Sequence, residues 1–159
     1  KRYYAIGFRN EAGGLELRNR FFKGCIPPKD ISLKRNGSDV CAVFEGFMDY
    51  LSAMQLGIIA SDWLVFNSVS NVEKAEKALQ GYERIECFLD NDEAGRRTTE
   101  YLVKAGFKVE DMSVHYRSFK DLNEYHVHRV REQQKRQSLK MPQTQTNLIK
   151  VKQVKHKMR

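Results

Sequence analysis

The sequence predicts an α/β protein: a parallel sheet of about four strands with helices on both faces, preceded by a small β-hairpin subdomain. Three observations carry that expectation. Between residues 39 and 116, short apolar runs alternate with stretches of helical periodicity, the pattern of repeated β-α-β units. Each helical stretch runs into a glycine, at Gly57, Gly81 or Gly106, where helices commonly stop. Upstream, two alternating segments flank a glycine pair, a hairpin signature.

Residues 3–9 (YYAIGFR) and 15–22 (LELRNRFF) are the hairpin strands, and the glycines of NEAGG supply the positive φ of the connection. KGCIPPKDISLKRNGSD, rich in Pro, Gly and charge, predicts irregular structure or short strands at a boundary. VCAVFEG is the first strand of the main sheet. Phe47, Tyr50, Leu51 and Met54 then follow the i, i+3, i+4, i+7 spacing of an amphipathic helix. WLVFN is the second strand, and Val72, Ala75 and Leu79 mark the next helix. RIECFLD is the third, followed by a helix through Ala94, Tyr101, Leu102 and Ala105. MSVHY (112–116) is a fourth, shorter strand, and residues 120–137 are helical. The expected parts are therefore a hairpin and connecting segment over 1–38, an α/β domain over 39–128 and a basic helix or tail over 129–159.

A chain of 159 residues can bury a real core. Hydrophobic residues are 41% and charged residues 30%, and no apolar run approaches the roughly 20 residues that span a bilayer, which excludes a membrane protein. No basic-then-apolar leader follows Lys1, so no secretory signal is expected and the chain reads as a piece of something longer. Cys25, Cys41 and Cys87 form no C-x-x-C pair and predict free thiols in a reducing, cytoplasmic compartment. The net charge of +8 resides in the tail: residues 129–159 hold ten Lys or Arg against one acid, Glu132. A basic tail on a near-neutral domain suggests a polyanionic partner, nucleic acid first, although such tails are also often only solvated.

In a parallel sheet, ligands bind beyond the carboxyl ends of the strands. Glu45 closes the first strand, and Asp90 and Asp92 close the third. If those strands are neighbours, the three carboxylates meet in one crevice, with Asp49 leaning over it from the first turn of the next helix. Crowded carboxylates repel one another unless a cation sits among them or some are protonated. All-oxygen donors on a rigid edge suit Mg²⁺ or Mn²⁺, which polarises a phosphoryl oxygen during in-line transfer. Singly, each acid has a structural explanation. Asp92, followed by Glu93, Ala94 and Gly95, is also a good helix N-cap.

FEGFMDYLS, followed some forty residues later by FLDNDEAGRR, resembles the toprim domain, the catalytic fold of bacterial-type primases, type IA and II topoisomerases and certain nucleases. The D-x-D-x-A-G of Asp90, Asp92, Ala94 and Gly95 looks like the primase branch. YAIGFRNEAGGLELRNR is similar to the segment upstream of toprim in primases of phages, plasmids and mobile elements, and FKDLNEYH to their K-D-x-D-E segment. The resemblance covers roughly residues 3–128. It implies Glu45, Asp90 and Asp92 as catalytic, metal-binding residues, Asp49 and Asp121 as further metal ligands, and Arg9, Arg18, Arg20 and Lys120 as contacts to nucleotide or template. Asn123 stands where the family's second K-D-x-D acid would be, which leaves two-metal chemistry open.

The function so implied is a nucleotidyltransferase: Mg²⁺- or Mn²⁺-dependent synthesis of primers from nucleoside triphosphates on a single-stranded DNA template, with a replicative helicase as a further partner. A metal-dependent toprim nuclease and a non-catalytic nucleic-acid-binding module remain alternatives. Such primases usually carry an N-terminal zinc domain, for which this sequence has no cysteine spacing. His126 and His128, two apart on a helix, point to different faces and make a poor zinc pair. NSVSN at 67–71 is either a phosphate-facing turn or an ordinary helix N-cap, and no G-x-x-x-x-G-K-[ST] motif occurs.

Overall fold

Alternation within one central strand decides how the layers stack. In β5 (Val40–Phe44), Cys41 and Val43 are buried on one side, Ala42 and Phe44 on the other. Both faces are apolar, so both must be covered. The computed structural model describes residue 2 and residues 4–140, and these fall into two units, one up to His126 and one from Val127 onward.

The first unit holds two sheets. The main sheet has strand order β4-β6-β5-β7-β8, with β4 (Ser32–Lys34), β6 (Asp62–Val65), β7 (Arg84–Phe88) and β8 (Val109–Asp111) around β5. β6, β5, β7 and β8 run parallel, while β4 pairs antiparallel with β6 at one edge. On the Cys41 face, Leu64, Ile85 and Cys87 pack with Ala75 and Leu79 of α2 (Val72–Leu79) and Leu102 of α3 (Glu93–Lys104). On the Phe44 face, Val65 and Phe88 pack with Phe47, Tyr50 and Ala53 of α1 (Phe47–Leu56), Tyr116, and Leu122 at the start of α4 (Leu122–Lys140). Burying a side chain of this size stabilises by about 1.5–3 kcal/mol. Helices are present at the three places where periodicity and a following glycine predict them, as Phe47–Leu56, Val72–Leu79 and Glu93–Lys104, and Cys25, Cys41 and Cys87 are free.

Two expectations need correction. MSVHY is not a strand: the fourth parallel strand is β8, three residues earlier, and Met112–Tyr116 turns as a 3-10 helix because Asp111 Oδ1 accepts from Ser113 N. The connecting segment holds short strands, one of the two forms expected of it, and one of them, β4, extends the main sheet. The second hairpin strand does not reach residue 22. It stops at Arg18, where Asn19 Oδ1 accepts from the amides of Phe21 and Phe22 and turns the chain into a third strand. The small sheet is therefore β1 (Ile6–Arg9), β2 (Leu15–Arg18) and β3 (Lys23–Ile26), antiparallel throughout. Its first connection closes through Asn10, with Gly13 at φ +85°.

Register assigns the faces of the small sheet. Ile6 pairs with Arg18 and Arg18 with Lys23, so these three share a face with Phe8, Glu16 and Cys25. Phe8 stacks on Phe47 of α1, ring centroids 5.1 Å apart, and touches Tyr50 and Trp63, which fixes that face against the main domain. In the second unit, residues 127–140 continue α4 as a largely exposed helix. The basic stretch expected to meet nucleic acid extends over 141–159, outside the described residues. No helix among the described residues is long and apolar enough to cross a membrane.

Candidate active site

β5 and β7 are direct neighbours, paired from Val40 with Arg84 to Phe44 with Phe88, so Glu45 and Asp90 emerge side by side at one end of the sheet. Helix α3 starts immediately after β7, and its seating explains part of the motif there. A Cβ on Gly95 would stand 2.1 Å from the Asp90 carbonyl oxygen, so only glycine lets the helix approach this closely. Asp92 Oδ1 accepts from Gly95 N at 3.0 Å and caps the helix. The residue between the aspartates, Asn91, donates from Nδ2 to the carbonyls of Tyr116 and Phe119, while its amide donates to the Lys120 carbonyl. Asn91 thereby ties the 116–120 segment beside Asp90, and Lys120 Nζ reaches Asp90 Oδ2 at 3.6 Å.

A cleft of about 540 Å³ opens above these strand ends. Glu45, Asp49, Asp90, Lys120, Asp121 and Asn123 line it from the main domain, and Arg18, Arg20 and Lys23 from the small sheet. The carboxylates sense one another. Burial, then Asp90 and Asp92, push Glu45 above the usual carboxylate range. Burial and Asp121 do the same to Asp90, against the opposing pull of Lys120. Asp49 is pushed up to about 7, chiefly by burial and then by Asp121, although Asn123 N donates to its Oδ1 at 3.1 Å. Lys120 is raised in turn, first by Asp90. Asp62, elsewhere in the core, is the contrast. Its burial also pushes upward, but the Tyr82 hydroxyl and the amides of Asn36 and Ser38 outweigh it, leaving Asp62 lowered. Asp62 is satisfied by donors; the cleft acids are short of them.

The site residues expected from sequence divide accordingly. Glu45, Asp49, Asp90, Asp121, Lys120, Arg18 and Arg20 come to one cleft. Asp92 does not line it: one of its oxygens is used as a cap, and its charge acts on Glu45 and Asp90 from the side. Arg9 pairs with Leu15 and so lies on the face of the small sheet opposite Arg18. Asn123 turns its side-chain oxygen to Ser52 Oγ at 3.2 Å and gives its backbone amide to Asp49, so it supports the neighbouring acid. Asp121 Oδ1 accepts from Glu124 N in the manner of an N-cap. Lys23 was not anticipated; it becomes legible only once β3 is recognised and its pairing with Arg18 known.

The donor set matches a hard dication in chemistry, all oxygen and mutually repelling. Among the described residues, however, no three His, Cys, Asp or Glu side chains are gathered as a preformed metal cage. An open rim of this kind suits Mg²⁺, which keeps several waters and is held by one or two carboxylates together with substrate phosphates.

Residues 42–126, more than half of the chain, match the model of the Toprim-like family. The chain belongs to the Toprim-like family. Ahead of the toprim region, residues 1–27 match a domain family of unknown function, DUF8464. The fold is similar to that of the primase fragment of the bacteriophage T7 primase-helicase protein, with TM-score 0.58 and 23% identity over 78% of this chain and 57% of that one. It is also similar to a chain in a structure of bacteriophage T7 lagging-strand DNA polymerase interacting with primase domains bound to an RNA/DNA hybrid and dTTP. There the TM-score is 0.55 and the identity 22%, over 78% of this chain and 70% of that one. The chain thus spans little more than half of the T7 primase fragment. No curated protein sequence matches it.

Proposed function

We propose that the cleft of this toprim domain belongs to a DNA primase core and joins nucleoside triphosphates into short primers on single-stranded DNA. The observation that carries the reading is the pairing of two sets of charge in one cleft: Glu45, Asp49, Asp90 and Asp121 with Arg18, Arg20, Lys23 and Lys120. Likeness to the T7 primase domains supports the same reading, and extends it to a replicative helicase as partner. Free cysteines fit a reducing, cytoplasmic setting.

Glu45 and Asp90, with Asp49 and Asp121 beside them, would hold Mg²⁺ or Mn²⁺, and Asp92 supports them by its charge and by capping α3. The ion supplies Lewis-acid stabilisation of phosphoryl oxygens. Lys120, beside Asp90, meets the triphosphate. Arg18, Arg20 and Lys23 hold strand phosphates, so binding weakens steeply with salt. The raised titration of Glu45, Asp49 and Asp90 means that neutral or higher pH favours the charged set a dication needs.

The test incubates the protein with labelled single-stranded DNA, Mg²⁺ or Mn²⁺ and nucleotides. Short products that require nucleotides and disappear in Glu45→Gln and Asp90→Asn support synthesis. Shortened template that disappears in the same variants supports a nuclease. Unchanged DNA binding with no reaction in any form leaves a non-catalytic binding module and removes the enzyme reading.

A further inference from the structure

The turn between β2 and β3 has a feature that folding does not explain. Phe21 is 82% exposed at its tip, with Tyr4 and Ile6 also exposed beside the same small sheet. The turn is nonetheless built firmly: Asn19 Oδ1 accepts from the amides of Phe21 and Phe22 at 2.7 and 3.0 Å, Asn19 Nδ2 donates to the Tyr4 carbonyl, and Asn19 N donates to the Phe22 carbonyl. An exposed aromatic ring on a hydrogen-bonded turn keeps its apolar surface in water without the gain of burial, and its position is fixed before any partner arrives. The guanidinium of Arg20 lies over the ring, 5.8 Å from its centroid. Asn19 and Arg20 line the acidic cleft; Phe21, the next residue, does not.

Charge identifies the occupant. Among the described residues, Arg18, Arg20 and Lys23 form no ion pair, so the cation over the ring and two others lining the adjoining cleft lack an anion. A flat apolar face next to unpaired cations matches a base flanked by phosphates, and base stacking on exposed aromatics with cationic backbone contacts is how single strands are held without sequence preference. Because Phe21 stands outside the cleft while Arg20 before it and Lys23 after it both line it, the ring meets a base of the strand at the cleft mouth, not the base of a nucleotide bound within. We propose that Phe21 is a stacking platform for one base of a single-stranded nucleic acid whose neighbouring phosphates rest on Arg18, Arg20 and Lys23. This rests on the primase reading for the purpose of the strand, but not for its binding.

The experiment measures equilibrium binding of the whole chain to a fluorescent single-stranded oligonucleotide without metal or nucleotides, so that catalysis plays no part. Phe21→Ala is expected to weaken binding roughly tenfold and Phe21→Trp to restore it, because one stacked base is typically worth an effect of that order. On an abasic oligonucleotide of equal length and charge, wild type and Phe21→Ala should bind alike, and the salt slope of Phe21→Ala should match wild type while that of Arg20→Ala falls. The indole in Phe21→Trp should be quenched by the oligonucleotide and not by a nucleoside triphosphate alone. Equal binding of wild type and Phe21→Ala to the normal strand overturns the proposal, as does no strand binding by wild type, quenching by the triphosphate alone, or a Phe21→Ala defect confined to self-association. The primase reading fails separately, through loss of metal-dependent activity altogether.

Discussion

Asp49 offers the sharpest test of how the cleft is charged. It is 7% exposed, one oxygen accepts from Asn123 N, and its titration is pushed from 3.8 to about 7 by burial and by Asp121. Between those values the folded chain holds a proton that the unfolded chain does not. Stability therefore falls as pH rises from about 4 to about 7 and stays low above it. At about 1.36 kcal/mol per pH unit between the two titrations, the full penalty is on the order of 4 kcal/mol, an upper bound because water entry and side-chain relaxation reduce it. Asp49→Asn keeps the shape and the acceptor for Asn123 N but cannot ionise. Urea unfolding in a chelating buffer should give the variant and wild type similar stability at about pH 4, with the variant up to about 4 kcal/mol more stable at about pH 8. Adding Mg²⁺ to wild type at the higher pH should recover part of the gap, since a dication offsets the same repulsion. A variant no more stable than wild type at high pH, or a gap that does not change with pH, would refute the account of Asp49 as a carboxylate held under electrostatic load.

Other residues give simpler outcomes. Gly95→Ala must displace the Asp90 carbonyl or the start of α3, so thermal unfolding should show a loss of about 1–3 kcal/mol; a neutral substitution would mean that the helix has room to shift. Asp92→Ala should cost about 1 kcal/mol through loss of the cap, whereas Asp92→Asn keeps the cap and removes only the charge. If Asp92→Asn retains full metal-dependent activity, the residue is structural and not part of the metal site. Lys120→Met breaks a pair whose lysine is mostly exposed, so stability should change by less than about 1 kcal/mol. The Asp90 titration should move further up, visible in carboxyl carbon chemical shifts against pH; no movement would show that the pair does not persist in solution.

Much of this was readable in the chain because period and punctuation agree. Phe47, Tyr50 and Ala53 bury one face of a helix that stops at Gly57, and Cys41 alternates with Ala42 in a strand buried on both sides. Glu45 and Asp90 could be placed at strand ends from pattern, but their adjacency depended on β5 pairing with β7, which pattern alone leaves open. The misses have local causes. RNRFF reads as strand by side-chain type, yet a single Asn19 carboxamide captures two amides and turns the chain. MSVHY alternates like a strand, but Asp111 caps a 3-10 turn that carries Tyr116 into the core, its hydroxyl on the Leu89 carbonyl. Arg9 and Arg18 look equivalent in sequence, and only register shows them on opposite faces.

Apart from Lys120, which pairs with Asp90, the acids of the cleft and its cations come from separate parts of the fold, and that separation bears on function. The acids sit on a frame fixed by sheet pairing, by the Gly95 approach and by Asn91, so the backbone holds them together despite their mutual repulsion. The cations Arg18 and Lys23 sit on a small sheet anchored through Phe8 on Phe47 and Trp63, at a distance that leaves them without ion pairs among the described residues while Lys23 still draws Glu45 downward. Had the two sets been closer, they would neutralise each other as ordinary salt bridges and the cleft would have no call for a ligand. Held apart, each is short of countercharge: the acids have Lys120 alone as an ion-pair partner among the described residues, and the basic wall of the small sheet lacks an anion. A dication bridged to a phosphate satisfies both at once, whereas a metal alone leaves the arginines unmet and a phosphate alone worsens the repulsion. On this reasoning, metal and nucleotide bind the cleft with positive cooperativity, each tightening the other by the same factor. Titrating Mn²⁺ with and without a nonhydrolysable nucleoside triphosphate measures that factor directly, and equal Mn²⁺ affinity in the two titrations would contradict the argument.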